Sequence, residues 1–139
     1  VGDVQVECLW PSELLMGQGS DPNNASAVTL VTIHGHRILM AGDVEPAAQD
    51  AIRQRYSDLK VDVVKIAHHG SRNQSDAFAA WLKPKAAFIS VGLRNDYGHP
   101  SRSTIAMYEF LGARVWRTDQ DGDLALVDSD KVLQVVTSK

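Results

Sequence analysis

Two β-branched runs separated by His34–Gly35–His36, then a helix-length segment, then a further apolar run, limit this chain to a sheet of mixed direction. Residues 27–33 and 37–41 read as the arms of a hairpin, with Gly35 supplying the turn. Residues 45–56 read as a helix, because acidic Glu45 and Pro46 suit the exposed amides of a first turn. Residues 61–67 form a short apolar run consistent with a buried strand. Upstream, residues 4–10 alternate apolar and polar side chains, the pattern of a half-buried strand stopped by Pro11, and residues 12–24 read as a loop. Downstream, Ser75 or Asp76 caps a helix that Pro84 stops, residues 86–91 form a strand, and 92–100 a loop. A helix over 103–111 ends at Gly112, and strands follow over 113–117, 123–127 and 132–136, the first two joined by a turn at 119–122. The expectation is a layered α/β fold.

A chain of 139 residues fits one domain, residues 1–139, with 44% hydrophobic and 22% charged residues. No apolar run approaches the roughly 20 residues that span a bilayer, and no signal peptide is visible. The first residue is Val, which suggests a piece of something longer. A formal charge of -3 argues against broad electrostatic adhesion to nucleic acid, yet leaves nucleic acid open as a substrate, since a bound metal adds charge that composition does not show. Cys8 is the one cysteine, so neither an internal disulfide nor a cysteine-rich zinc site can form.

Polar clusters stand where strands stop: Gly42–Asp43, His68–His69–Gly70–Ser71, and Tyr97–Gly98–His99–Pro100 after its loop. Strand ends in α/β folds share a rim, and carboxylate and imidazole are ligands for zinc or manganese. Each cluster also has a plain reading. Asp43 is placed to cap the helix that follows, the histidine pair suits a polar loop, and His99 before proline suits a loop position. Asp119, Asp121 and Asp123 alternate as in a calcium loop, but Gly122 comes too early, so a hairpin turn is expected. Trp10, Trp81 and Trp116 are dispersed as core residues are. Ser71 and Ser90 lack the Gly-x-Ser-x-Gly elbow of a serine hydrolase.

Taken in order, Asn24–Ala25–Ser26, Met40–Ala41–Gly42–Asp43, Lys65 to Ser71 (KIAHHGS), Tyr97–Gly98–His99–Pro100 and Arg117 to Gly122 (RTDQDG) resemble the metallo-β-lactamase-like domain of ComEC-type DNA-internalisation (competence) proteins, over residues 10–127. The resemblance implies half of an αββα sandwich, the C-terminal portion of that domain. It further implies that Asp43 bridges two divalent ions (zinc or manganese) and that His69 is a ligand. By the same likeness His68 contacts substrate phosphate or orients a ligand, and His99 is a phosphate contact or proton donor. Asn24, Ser26, Ser71 and Tyr97 shape the surrounding loops.

The chain departs from that pattern in one respect. The family's His-x-(His/Asp)-x-Asp-His motif and a further histidine before the Gly-Asp strand are missing. His34 and His36 imitate part of the spacing but are expected to be exposed turn residues. Asp43 with one or two histidines falls short of two metal sites, so weak or no metal binding and little catalysis are expected of the fragment. The parent is expected to be a phosphodiesterase or nuclease of a DNA-uptake channel, with this part a soluble domain of an inner-membrane protein. DNA or another phosphoester, the upstream half-domain and the channel are its expected partners, together with self-association. A noncatalytic module that binds DNA or packs against the channel is the alternative.

Overall fold

The computed structural model describes residues 3–129 and 131–139. Its larger sheet has six strands in the order β1 (Val4–Trp10), β2 (Val28–Ile33), β3 (His36–Met40), β4 (Val63–Lys65), β5 (Ala86–Ile89) and β6 (Arg114–Arg117). The first three are antiparallel, and β3 to β6 run parallel. Short turns can join only antiparallel neighbours, and helices carry the parallel crossovers. These are α2 (Pro46–Arg55), α3 (Asp76–Leu82) and α4 (Arg102–Phe110); α1 (Asp21–Asn24) is a single turn inside the expected loop. The expected mixed α/β sheet with flanking helices is therefore present.

Alternation within the strands sets the layers. Val28, Leu30, Leu39, Ala87 and Ile89 join Ile52 of α2, Phe78 and Leu82 of α3, and Tyr108 of α4 in one buried cluster. On the sheet's other face, Ile38, Met40 and Phe88 line a gap of about 360 Å³ together with Leu124 and Leu126. Those two leucines belong to β7 (Leu124–Ser129), which pairs with β8 (Val132–Thr137) in a separate two-stranded sheet.

Three expectations need correction. Strand β1 is not half-buried: Val4 and Val6 are exposed and only Leu9 and Trp10 reach the core, because β1 is an edge strand. Residues 119–122 form no hairpin turn. Instead α5 (Thr118–Asp121) makes one helical turn, and β6 and β7 lie in different sheets. Polar groups hold that turn: the Arg117 amide donates to Asp121 Oδ2 at 2.7 Å, and Thr118 Oγ1 donates to the Val91 carbonyl at 2.8 Å. Finally, His36 opens β3 with its ring mostly buried, between Asp62 and Asp128 at 4.0 and 3.8 Å; His34 alone is the exposed turn residue.

Candidate functional site

Because β3, β4 and β5 are parallel, their C-terminal ends open on one rim. Asp43 follows β3, the 3₁₀ turn Ala67–Gly70 follows β4, and the loop carrying Tyr97 and His99 follows β5. The loops are stitched together by backbone bonds from the His68 amide to the Gly42 carbonyl (3.0 Å) and from the Ser101 amide to the Gly70 carbonyl (2.8 Å). Both motif glycines are needed for this approach. A Cβ on Gly42 would lie 2.9 Å from Ser26 Cβ, and one on Gly70 would lie 2.8 Å from Pro100 Cβ.

His68 and His69 both occupy left-handed backbone, at φ of 49° and 52°. Such a conformation costs on the order of 1–3 kcal/mol per residue and needs surrounding support. Gln74 supplies it, donating from Nε2 to the carbonyls of Ala67 (3.1 Å) and Ser71 (3.2 Å) on either side of the pair. Gln74 is in turn held by Nε2 of the fully buried Gln49 at 3.1 Å, and Thr104 Oγ1 donates to the Ser71 carbonyl at 2.7 Å.

The left-handed turn aims His69 at Asp43. His69 Nδ1 lies 2.7 Å from the Ser90 carbonyl oxygen, which can only accept, so Nδ1 carries the proton and Nε2 of the neutral ring keeps its lone pair. That Nε2 stands 3.7 Å from Asp43 Oδ1, with both side chains near half exposed. Donors bound to one zinc ion at about 2.0–2.2 Å in near-tetrahedral array are separated by roughly 3–4 Å, so the pair fits one edge of a coordination shell. Among the described residues, no group of three or more His, Cys, Asp or Glu side chains gathers around it. Asp43 does not cap α2, whose N-cap is Glu45. Lys65, partly buried behind the pair, donates to the Gly42 carbonyl at 3.3 Å; burial lowers its pKa, with Asp43 opposing.

His68 points to the other side. Its Nδ1 is buried without a hydrogen-bond partner among the described residues, 3.8 Å from Glu45 Oε1. Burial opposes the Glu45 carboxylate, but the Ser20 amide (2.9 Å), the Asn23 side chain (3.1 Å) and the field of His68 outweigh it and lower its pKa. The rings of His68 and His99 meet edge to face at 5.4 Å, and Tyr97 stacks on His99 at 6.2 Å. Burial lowers the His99 pKa, and the nearby His68, His69 and Arg72 lower it further.

The residues expected to shape the loops lie at different distances from the His69–Asp43 pair. Asn24 is buried in the scaffold, its Oδ1 accepting from the Glu45 amide at 3.1 Å and its carbonyl from Trp10 Nε1 at 2.6 Å. Ser26 packs behind Gly42, Ser71 is buried beneath the histidine turn, and Tyr97 is exposed at the rim. Sequence reasoning missed Glu45 as a partner of His68, along with Lys65, Gln49, Gln74 and the Ser90 carbonyl. Of these, Glu45 had a local signal in its two-residue spacing from Asp43.

No protein-family model matches the chain. Over 128 residues, 89% of its length, it is 32% identical to ComE operon protein 3 of Bacillus subtilis. The chain belongs with a segment of the ComEC-type competence proteins. It is also 28% identical over 81% of its length to Uncharacterized protein YcaI of Escherichia coli, and 27% identical over 73% to Recombination protein 2 of Haemophilus influenzae. The chain spans 16%, 15% and 13% of the length of those three relatives. No helix of its described residues is long and apolar enough to cross a membrane.

Proposed function

We propose that the chain is the later part of a metallo-β-lactamase-like αββα domain in a DNA-uptake channel protein, and that the complete domain is a metal-dependent phosphodiesterase or nuclease. The observation that carries this reading is the His69–Asp43 pair, with Nδ1 tied to the Ser90 carbonyl and Nε2 facing Asp43 at 3.7 Å. Backbone anchoring of the non-ligating nitrogen is how metal-binding imidazoles are oriented. Asp43 and His69 would hold the ion, with the remaining ligands supplied from outside this chain. When bound, the ion supplies a Lewis acid and an activated water for phosphoester cleavage.

The other residues act on the substrate. His68, backed by Glu45, presents its ring to the phosphate. His99, whose pKa is lowered by burial and by the neighbouring His68, His69 and Arg72, sits where a bound phosphate would oppose that shift, which suits a proton donor to the leaving oxygen. Membrane attachment belongs to the parent, this domain being its soluble part. Self-association would use the exposed edge of β1, where Val6 is 66% exposed. A noncatalytic module that binds DNA or packs against the channel is the second reading, favoured by the lack of a third gathered ligand among the described residues.

Titration with zinc or manganese, followed by the resonances of the five histidines, tests the proposal. Saturable shifts at His69, weaker ones at His68 and none at His34 or His36 are expected. Uniform perturbation of all five would count against a site.

A further inference from the structure

Tyr97 is 85% exposed, and its ring stacks on His99 at an interplanar angle of 17°. An aromatic side chain standing free in solvent loses the benefit of burial unless something covers it. The two rings form a ridge with a cleft on each side.

The clefts differ in chemistry. One, of about 390 Å³, is walled by His68, Arg72, Asn73, Ser101 and Ser103. Among the described residues no carboxylate lines it directly, although Glu45 lies behind its wall, 3.8 Å from His68 Nδ1. Guanidinium, imidazole, amide and hydroxyl donors around one space form a receptor for an anion with several acceptor oxygens. The other cleft, of about 210 Å³, is mostly apolar, with Val91 and Gly92 beside His69 and Asn95. Tyr97 and His99 border both clefts.

A polar receptor and an apolar shelf that share an aromatic wall match the alternation of phosphate and base along a nucleic-acid strand. We propose that this ridge binds a single nucleic-acid strand, with a phosphate beside Arg72 and the adjoining base laid against Tyr97. The inference rests on the phosphoester reading above and specifies the form of its substrate. A base already paired and stacked within a duplex cannot present its face to Tyr97, so the site selects unpaired strands. The contact is tolerant of sequence, because every base has a π-face.

The test measures binding of a short fluorescent oligothymidine to the chain in EDTA, against the same sequence annealed to its complement. Inorganic tripolyphosphate, followed by the shifts of backbone resonances around Arg72, serves as a phosphate-only probe. The single strand is expected to bind more tightly than the duplex. Tyr97→Leu should weaken strand binding about fivefold or more, and Tyr97→Phe should restore it. Arg72→Gln should weaken both probes, whereas Tyr97→Leu should weaken the strand by a larger factor than tripolyphosphate. Unaltered core resonances establish that each variant is folded.

Unchanged strand binding in Tyr97→Leu, or equal affinity for duplex, overturns the proposal. Chelation keeps the two readings separable. Loss of strand selectivity leaves the metal reading standing, and failure of the metal titration leaves strand binding to be judged on its own.

Discussion

A methyl group on Gly42 would sit 2.7 Å from the Ala27 carbonyl oxygen, and the residue's φ of +54° is strained for any side chain. Gly42→Ala should therefore destabilise the fold by about 2 kcal/mol, through overpacking and backbone strain together. Gly35 has a φ of +85°, but a Cβ there would meet nothing within 4 Å, so Gly35→Ala should cost only about 1 kcal/mol. Urea denaturation of the two variants compares them directly. The contrast bears on Asp43, whose position after β3 depends on how closely Gly42 passes Ser26. A glycine in a turn and a glycine under a backbone look alike in sequence, and only the second sets the geometry of the candidate ligand beside it.

At the scale of elements, α2 does more than cover the sheet. Its N-terminus carries Glu45 to His68, and one turn later Gln49 reaches the segment after the histidine pair. Gln49 is fully buried, donating to the Val44 carbonyl at 2.8 Å and accepting from the Ser75 amide at 2.7 Å. Gln49→Leu would leave those groups unpaired in the interior and should cost about 2–3 kcal/mol. The loss should be local in its first effect. Amide exchange across residues 67–71 is expected to quicken more than exchange in β5, since the support for the two left-handed histidines runs through Gln74. Equal acceleration in both places would mean that Gln49 supports the core and not the site.

At the scale of the whole molecule, polar contacts at one end tie the two-stranded sheet to the larger one. His34 Nδ1 meets Asp128 Oδ2 at 2.7 Å, and His36 lies between Asp128 and Asp62. The hydrogen bond from His34 lowers the Asp128 pKa against a small burial cost. At Asp62 burial opposes ionisation, but the Arg37 amide and Lys85 outweigh it, so its pKa also falls below the ordinary value. For such carboxylates the stabilising contribution is complete above the unfolded value of about 4 and fades as pH falls through the lower folded values. Acidification below about pH 4 should therefore loosen β7 and β8 before the larger sheet, as hydrogen exchange would record. Asp128→Asn should remove part of that acid sensitivity.

The order of strands and helices, the His34–Gly35 turn and the polar clusters at the strand ends were legible in the amino-acid sequence, because each depends on neighbours a few residues away. Ser75 was likewise readable as a cap, and its Oγ accepts from the Phe78 amide at 3.2 Å. Tertiary structure decided the rest. Residues 118–121 form a helical turn because Thr118 finds carbonyls on the β5 side, and His36 is buried because Asp62 and Asp128 arrive from distant parts of the chain. The same holds for the candidate site. Local pattern brought Asp43 and the histidine pair to one rim, but which imidazole faces Asp43 was settled by the Ser90 carbonyl, 21 residues from His69. A polar group's role is set by what satisfies it, and in a folded chain that partner is often remote in sequence.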